Sequence, residues 1–426
     1  MRRRHFLIGL GAATVGAVWL RPGNQGTPYT PYFQALNDYL KREGPGHPIM
    51  LIDRQRLAAN GKQLMAMLPA HCHYRIVAKS LPSVPLIQAV MADTGSHRVM
   101  VFHQPFMTDL ARAEPGCDML LGKPMPINAA RRFYQELPTD SGFDPQQQLQ
   151  WLIDSGERLQ QYLALARQQN RRLNINVEID VGLHRGGLTD PAQLDALLAV
   201  IRDNPAHLRF SGFMGYDAHV GKLPAFIQSA EEGHRQTDAL YRRYIERLYA
   251  FDPGYREQTL CFNGAGSPTI ALYDDSTPLN ELSAGSCLVK ATDFDLPLLE
   301  AFQPAAFIAT PVIKKIDGLH LPGPLPLGKA WSLWNPNRRE TYFIYGGYWK
   351  AEPVSPAGIA SNPLYGVSTN QMMFNGATTT ALNQDDQLFF RPTQSEFVLL
   401  QFGDLAAWER GAIRHWWPPL SQGNGA

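Results

Sequence analysis

A lysine that directly follows an apolar run is the first feature of this sequence that could do chemistry. The run Tyr74–Ala78 is followed at once by Lys79 and then by turn residues. One interpretation is a strand that ends at the surface on a solvated charge. The other is an amine held at the end of the strand, where it can form a Schiff base with a carbonyl group. Lys123 follows another apolar run, so the residues alone leave two candidate lysines.

Two glycine-rich turns further along the chain have the composition of an anion site. They are "NGAGSPT", which starts at Asn263, and "ELSAGS", which ends at Ser286. Glycines let backbone N–H groups converge on a phosphate, and nearby hydroxyls add donors, although most such turns only reverse the chain. A phosphate site combined with a lysine is what pyridoxal phosphate requires. The residues predicted to bind it in these turns are Asn263, Gly264, Gly266, Ser267, Thr269, Gly285 and Ser286.

Two further segments bring polar residues to the ends of apolar runs. The segment "VEIDVGLHRGG" ends in a loop that carries Arg185, and "GYDAHVG" carries Tyr216 and His219. Arg185 is read as a cofactor contact or as a surface ion-pair partner, and Tyr216 as a cofactor contact or a core tyrosine. His219 is equally consistent with an acid–base residue and with a structural histidine.

The elements that position these residues follow from hydrophobic patterning. Eight short apolar runs alternate with helical patterns such as Glu157–Gln169 and Pro191–Arg202, which predicts an α/β fold with a parallel (β/α)8 barrel. In such barrels, active sites form where the strands end. The eight runs are Tyr74–Ala78, Arg98–Phe102, Asp118–Leu121, Leu149–Ile153, Leu173–Ile179, Leu208–Gly215, Thr259–Phe262 and Leu279–Leu282.

The chain changes character near Pro304, where proline, glycine and aromatic residues become dense. Runs such as Gln387–Arg391 and Glu396–Phe402 alternate like half-buried strands. We therefore predict a barrel over residues 45–303 and a mainly-β domain over residues 304–426. Residues 31–52, around Pro48–Ile52, are expected to join the β domain.

Composition excludes several classes of protein. The chain has 426 residues, with 39 Lys plus Arg against 38 Asp plus Glu, so it lacks the basic surplus of a nucleic-acid binder. Its four cysteines, Cys72, Cys117, Cys261 and Cys287, have no paired spacing, which argues against a zinc knot or a disulfide framework. Because of the charge balance, no nucleic-acid partner is expected.

The first 30 residues predict an export signal and leader. Arg3, Arg4, Phe6 and Leu7 resemble the twin-arginine signal, and the apolar run to Leu20 is short for a membrane span. We expect a periplasmic protein, with an uncleaved membrane anchor as the alternative.

From about His47 to about Asp295 the sequence resembles the fold-type III pyridoxal phosphate enzymes. The resemblance is to the D-threonine aldolase and D-serine dehydratase group related to alanine racemase. Arg75 to Lys79-Ser80 looks like the group's Arg-x-x-x-Lys-Ser/Thr segment, which makes Lys79, rather than Lys123, the implied Schiff-base lysine. The resemblance also implies that Arg185 is the cofactor-side arginine, that Tyr216 lies near the phosphate or ring, and that the two glycine turns bind the phosphate.

The C-terminal segment departs from this family. At the positions of the family's metal-binding His and Cys/Asp it has Gln394 and Glu396, which argues against a divalent metal. In the family's separate Ser-Glu-Glu-His segment it has Gln371 at the position of the His. The resemblance implies a Lys79-dependent lyase, aldolase-like or dehydratase-like, acting on a D- or 3-hydroxy amino acid without that metal. Lys79 and His219 are the candidate catalytic residues. The alternatives are an amino-acid racemase and a pyridoxal phosphate-binding protein that has lost catalysis. The expected assembly is a homodimer.

Overall fold

The computed structural model describes residues 21–224, 226–320, 327–362 and 366–421. The described residues form two compact units. The barrel unit lies within 52–306, 394–407 and 415–426, and the sheet unit within 1–51, 307–393 and 408–414. Residues 394–407, which the sequence assigned to the β domain, are thus grouped with the barrel. The predicted export signal lies within residues 1–20, outside the described residues, and stays a prediction.

The strands in chain order are β1 (Ile49–Asp53), β2 (His73–Val77), β3 (Arg98–Val101), β4 (Asp118–Leu121), β5 (Leu149–Ile153), β6 (Leu173–Glu178), β7 (Leu208–Gly215), β8 (Cys261–Gly264), β9 (Glu281–Ala284), β10 (Ala306–Asp317), β11 (Glu340–Ile344), β12 (Ala351–Ser355), β13 (Ala360–Ser361), β14 (Met373–Gly376), β15 (Gln387–Pro392), β16 (Leu405–Glu409) and β17 (Ala412–Trp417).

The helices in chain order are α1 (Pro31–Glu43), α2 (Arg54–Met67), α3 (Val84–Thr94), α4 (Gln104–Ala113), α5 (Ile127–Glu136), α6 (Pro145–Gln148), α7 (Gly156–Gln168), α8 (Leu194–Arg202), α9 (Ala230–Phe251), α10 (Ser286–Val289) and α11 (Leu327–Trp334). No helix in the described ranges has the length and apolar character that a membrane span requires.

Strands β2 to β9 close into a parallel barrel in sequence order. The predicted barrel is confirmed. Parallel strands are buried on both faces, so they appear in the sequence as continuous apolar runs. Asp118–Leu121, Leu149–Ile153 and Leu208–Gly215 match their strands, while the last two strands start two residues later than predicted.

The helices around the barrel begin at well-defined caps. The Ser155 hydroxyl accepts from the Arg158 N–H at the start of α7, and the Ser229 hydroxyl does the same for Glu232 at the start of α9. Such caps satisfy N–H groups that the helix leaves unpaired, each contributing about 1 kcal/mol.

An ion-pair network inside the barrel fixes strand β2. Arg75 is fully buried and donates to Glu281 on β9 and, at 2.6 Å, to Asp118 on β4. Arg98 on β3 also donates to Glu281, at 3.0 Å. The network joins four strands at the end of the barrel opposite the β2 carboxyl end, where Lys79 follows.

The sheet unit is built on a nine-stranded sheet in which β1 lies between β10 and β16. Its other pairings include the antiparallel pairs β10–β11, β10–β15 and β11–β14. The predicted strand Gln387–Arg391 is confirmed as β15. This mainly-β region accompanies the barrel as predicted.

The predicted strand Glu396–Phe402 is wrong. Val398–Leu400 forms a 3-10 helix, and the Leu399 N–H donates to the Ser395 carbonyl at 3.1 Å. Val398 and Leu399 are both buried, while Phe397 is exposed. A short apolar run buried on one side suits a turn as well as a strand, and local hydrogen bonding selects the turn.

Candidate active site

A cavity of about 750 Å³ lies where the barrel strands end, and its lining comes from the barrel unit alone. Residues that follow β2, β6, β7, β8 and β9 meet in it. Eight of the residues predicted from the sequence line it: Lys79, Arg185, Tyr216, Asn263, Gly266, Ser267, Gly285 and Ser286.

Lys79 follows β2 on a single 3-10 turn, Ala78–Ser80. Its Nζ lies 2.6 Å from Oε1 of Glu396 and 5.0 Å from the centroid of the Phe102 ring. The side chain is 38% exposed, so the amine is accessible from the cavity. Lys123 lines the same cavity, but Lys79 has the paired carboxylate.

Arg185 and Tyr216 form a stacked pair on the cavity wall. The Arg185 guanidinium lies 4.8 Å from the centroid of the Tyr216 ring. Burial, together with the neighbouring Asp217, raises the pKa of the Tyr216 phenol to about 12, so this side chain stays neutral at physiological pH. Gly266 makes room for the ring, because a Cβ at this position would lie 2.5 Å from Cε2 of Tyr216.

The two glycine turns are joined through Ser267. Its hydroxyl oxygen accepts from the N–H of Gly285 at 3.2 Å and from the N–H of Cys287 at 3.1 Å. Ser286 is buried, and its hydroxyl lies 2.9 Å from the Ser80 hydroxyl. Ala265 has a φ of 63°, a left-handed conformation that is unusual for a residue other than glycine. The turns therefore form one connected cradle on the cavity wall.

Two backbone N–H groups of this cradle are available to donate hydrogen bonds to a ligand. Within the described part of the chain, neither the N–H of Ser267 nor that of Ser286 donates a hydrogen bond. Unpaired backbone N–H groups are uncommon in folded proteins, and several of them on one wall make an anion site.

Three of the predicted residues are not brought to the cavity. Thr269 is buried and its hydroxyl donates to Asp217 at 2.7 Å. Gly264 lies on β8, where a Cβ would meet Leu279 at 2.3 Å, so its role is close packing. The His219 ring lies against the backbone of Gly182, outside the cavity lining. Burial lowers the pKa of His219, with His184 adding to the effect.

Asn263 reaches the cavity but is held by barrel side chains. Its amide nitrogen donates to Glu281 and to the Ser283 hydroxyl, both at 2.8 Å. These bonds tie the first glycine turn to the buried Arg75 network.

Sequence reasoning missed two acidic residues that line the cavity, Glu178 and Asp154. They stand where β6 and β5 end, which is the signal that could have found them. Burial raises the pKa of Glu178 to about 7, and the Arg185 charge opposes the rise. A carboxyl group with this pKa can exchange a proton near neutral pH.

Glu396, at one of the family's two metal-ligand positions, and Gln371, in the segment that departs from the family's Ser-Glu-Glu-His, have different partners. Glu396 pairs with Lys79, whereas Gln371, in the sheet unit, accepts from Lys314 at 2.7 Å. In the described ranges no group of three or more His, Cys, Asp or Glu side chains is arranged to hold a metal ion.

Comparison with known proteins places this geometry in a family. The family model for the alanine racemase N-terminal domain matches residues 52–293. A D-threonine aldolase from an Arthrobacter species is 29% identical over 169 residues, which cover 38% of this chain and 42% of that protein. The match therefore spans less than half the length of this curated relative.

Solved structures show the same fold. D-threo-3-hydroxyaspartate dehydratase from Delftia sp. HT23 superposes with a TM-score of 0.66 at 18% identity, over 88% of this chain and 97% of that one. D-threonine aldolase from Filomicrobium marinum gives a TM-score of 0.66 at 16% identity, over 87% and 94% of the two chains. Alanine racemase from Bacillus anthracis gives 0.64 at 12% identity, over 87% and 97%.

The family model covers more than half of the chain and coincides with the barrel and the turns that line the cavity. The chain belongs to the alanine racemase N-terminal domain family and thus to the fold-type III pyridoxal phosphate group.

Proposed function

We propose that this chain is a pyridoxal phosphate-dependent enzyme that acts on a D-3-hydroxy amino acid by lyase chemistry. The observation that carries the proposal is that Lys79, Arg185 and the two-turn cradle share one cavity. The names of its relatives, D-threonine aldolase and D-threo-3-hydroxyaspartate dehydratase, support the substrate class and the reaction type.

The residues present suit this cofactor. A volume of about 750 Å³ lies within the range of ligand pockets, roughly 300–1,000 Å³. Ser286 and the backbone N–H groups of Ser267 and Ser286 would hold the phosphate, Lys79 the aldehyde carbon, and Arg185 the ring nitrogen. Pyridoxal phosphate, when bound, supplies an electron sink for a bond broken at the substrate Cα.

The protein's own residues determine which reaction the cofactor would support. Arg185 is always charged and can only donate, so it disfavours a proton on the ring nitrogen facing it. Arg185 would thereby weaken the electron sink and favour restricted chemistry over transamination. With the cofactor and substrate bound, Lys79 would be the residue that moves a proton at the substrate Cα.

Covalent labelling tests the proposal. The full chain is incubated with pyridoxal phosphate, reduced with borohydride, digested and mapped by mass spectrometry. We expect a pyridoxyl label on Lys79, its loss in Lys79→Ala, and its retention in Lys123→Ala. A substrate panel of D-threonine, D-serine and the alanine enantiomers then distinguishes lyase from racemase activity. No label on Lys79 overturns the proposal, and racemisation without cleavage replaces lyase with racemase.

We also infer that the chain is exported, which the Arg3-Arg4 pair ahead of an apolar run supports. The test is cell fractionation of the full chain and of the variant with Arg3→Lys and Arg4→Lys. Retention of the variant in the cytoplasm is the expected result, and equal export of both proteins would contradict the inference.

A further inference from the structure

We propose that Glu396 is the second acid–base residue of this site and acts on the hydroxyl group of a 3-hydroxy amino acid. The inference rests on the proposed function, because it takes Lys79 as the cofactor lysine. It assigns to this chain's own carboxylate the task of activating the substrate hydroxyl.

The position of Glu396 carries the inference. Its Oε1 lies 2.6 Å from Nζ of Lys79, and its side chain is 45% exposed. Glu396, Phe397 and Leu400 all line the cavity. No other ion pair links Lys79 to a carboxylate in the described part of the chain. Among the described acidic residues, Glu396 is thus the one placed beside the reacting amine.

The backbone around Glu396 is well anchored. Ser395 is 1% exposed, and its hydroxyl lies 3.3 Å from the hydroxyl of Ser286 in the second glycine turn. Val398 and Leu399, which follow in sequence, are fully buried. A carboxylate carried by a fixed backbone segment can hold a catalytic position that a mobile surface glutamate cannot.

The chemistry needs a base for the substrate hydroxyl. The Glu396 carboxylate accepts the hydroxyl proton, the Cβ oxygen becomes a carbonyl, and the Cα–Cβ bond breaks with its electron pair left at Cα. The Lys79 ammonium then returns a proton to Cα, and Glu396 passes its proton to the Lys79 amine. The hydroxy amino acid is split into an aldehyde and a smaller amino acid, and both protein groups return to their starting states.

The pair is therefore a proton relay as well as an ion pair. A contact of 2.6 Å is within hydrogen-bond distance, so a proton can cross between the two groups without solvent. A metal would activate the hydroxyl by lowering its pKa, whereas a carboxylate does so by accepting the proton.

The experiment compares the wild-type protein with the Glu396→Gln variant. Each protein is loaded with pyridoxal phosphate and assayed in EDTA. Glu232→Gln is the control, because Glu232 is also 45% exposed and paired with an arginine but lies outside the cavity lining. Three quantities are measured: the borohydride label on Lys79, the exchange of the glycine Cα hydrogen in D2O, and the cleavage of D-threonine and D-threo-3-hydroxyaspartate.

We expect Glu396→Gln to keep the label and the Cα exchange, which need Lys79, and to lose cleavage by about 100-fold or more. Glu232→Gln should match wild type in all three measurements. Cleavage by Glu396→Gln at the wild-type rate would overturn the inference. A parallel loss of exchange and cleavage would also overturn it, since this indicates a structural role.

Three further outcomes separate this inference from the proposed function. A wild-type protein that is labelled on Lys79 and exchanges Cα hydrogen, but cleaves only when Mn²⁺ is added, overturns the role of Glu396 alone. A labelled protein that cleaves neither substrate, with or without Mn²⁺, overturns both the role of Glu396 and the lyase assignment but leaves Lys79 as the cofactor lysine. A wild-type protein without label on Lys79 overturns the inference and the whole proposed function.

Discussion

The guanidinium of Arg185 lies 4.8 Å from the centroid of the Tyr216 ring, and this pair joins the ends of two barrel strands. Gly266, after a third strand, has no side chain to obstruct the ring. An arginine stacked on an aromatic face keeps its planar fork oriented, since cation–π contact contributes about 0.5–2 kcal/mol. The pair therefore presents a fixed positive charge to the cavity.

Replacing Arg185 with lysine is expected to weaken cofactor binding without unfolding the protein. Lysine keeps the charge but loses the planar stack and the forked donor, so we expect the Kd for pyridoxal phosphate to rise about 10- to 100-fold. Absorbance titration of the cofactor-free protein measures it. Arg202→Lys is the matched control, because Arg202 lies 5.6 Å from the Phe251 ring and outside the cavity lining. Equal Kd values for both variants would contradict the role of Arg185.

Gly285→Ala is expected to damage both the cradle and the Lys79 turn. A Cβ at Gly285 would lie 2.8 Å from the backbone oxygen of Val77, the last residue of β2. Backbone atoms must move, so we expect a loss of about 1–3 kcal/mol in the free energy of unfolding, together with weaker cofactor binding. Urea denaturation and absorbance titration measure the two effects. Gly116→Ala should leave both unchanged, because no heavy atom lies within 4 Å of the added Cβ.

The barrel could be predicted because its strands are buried on both faces, which produces unbroken apolar runs such as Leu149–Ile153. The cavity follows from that topology, since residues after successive strands meet at one end. Lys79 and Arg185 could therefore be assigned to one site from their positions in the sequence.

The direction of individual side chains could not be predicted in this way. Thr269 is a hydroxyl residue in a glycine turn, yet buried Asp217 accepts its hydrogen bond away from the cavity. The raised pKa of Glu178 could not be predicted either, because it depends on burial of the side chain in the folded barrel. The contact between Lys79 and Glu396 spans more than three hundred residues, which local patterns do not encode.

Removing the Arg75 charge is expected to destabilise the barrel strongly. Arg75→Met leaves Glu281, which is 1% exposed, without its buried partner, so we expect a loss of about 3–5 kcal/mol in unfolding free energy. The double variant Arg75→Met, Glu281→Gln removes the buried carboxylate charge, which would otherwise be paired with Arg98 alone, and should recover part of this loss. Urea denaturation of the cofactor-free protein measures both. A double variant less stable than Arg75→Met would contradict the charge argument.

Glu178 predicts how stability changes with pH. Burial raises its pKa from 4.5 to about 7, an effect that Asp154 and Asp180 reinforce and Arg185 opposes. Between these values the folded protein holds a proton that the unfolded chain releases, so this contribution to stability falls as pH rises. Glutamine does not ionise, so the stability of Glu178→Gln relative to wild type should increase from pH 4.5 to about 7, by about 3 kcal/mol at most, and then stay constant. Thermal unfolding of the cofactor-free proteins across this range measures the difference. Glu136→Gln is the control, because the hydrogen bond from Arg132 lowers the pKa of Glu136 from 4.5. Its contribution to stability is lost only as pH falls below this range, so its difference from wild type should stay nearly constant across it. A difference between Glu178→Gln and wild type that does not vary with pH would show that Glu178 titrates normally in the folded protein.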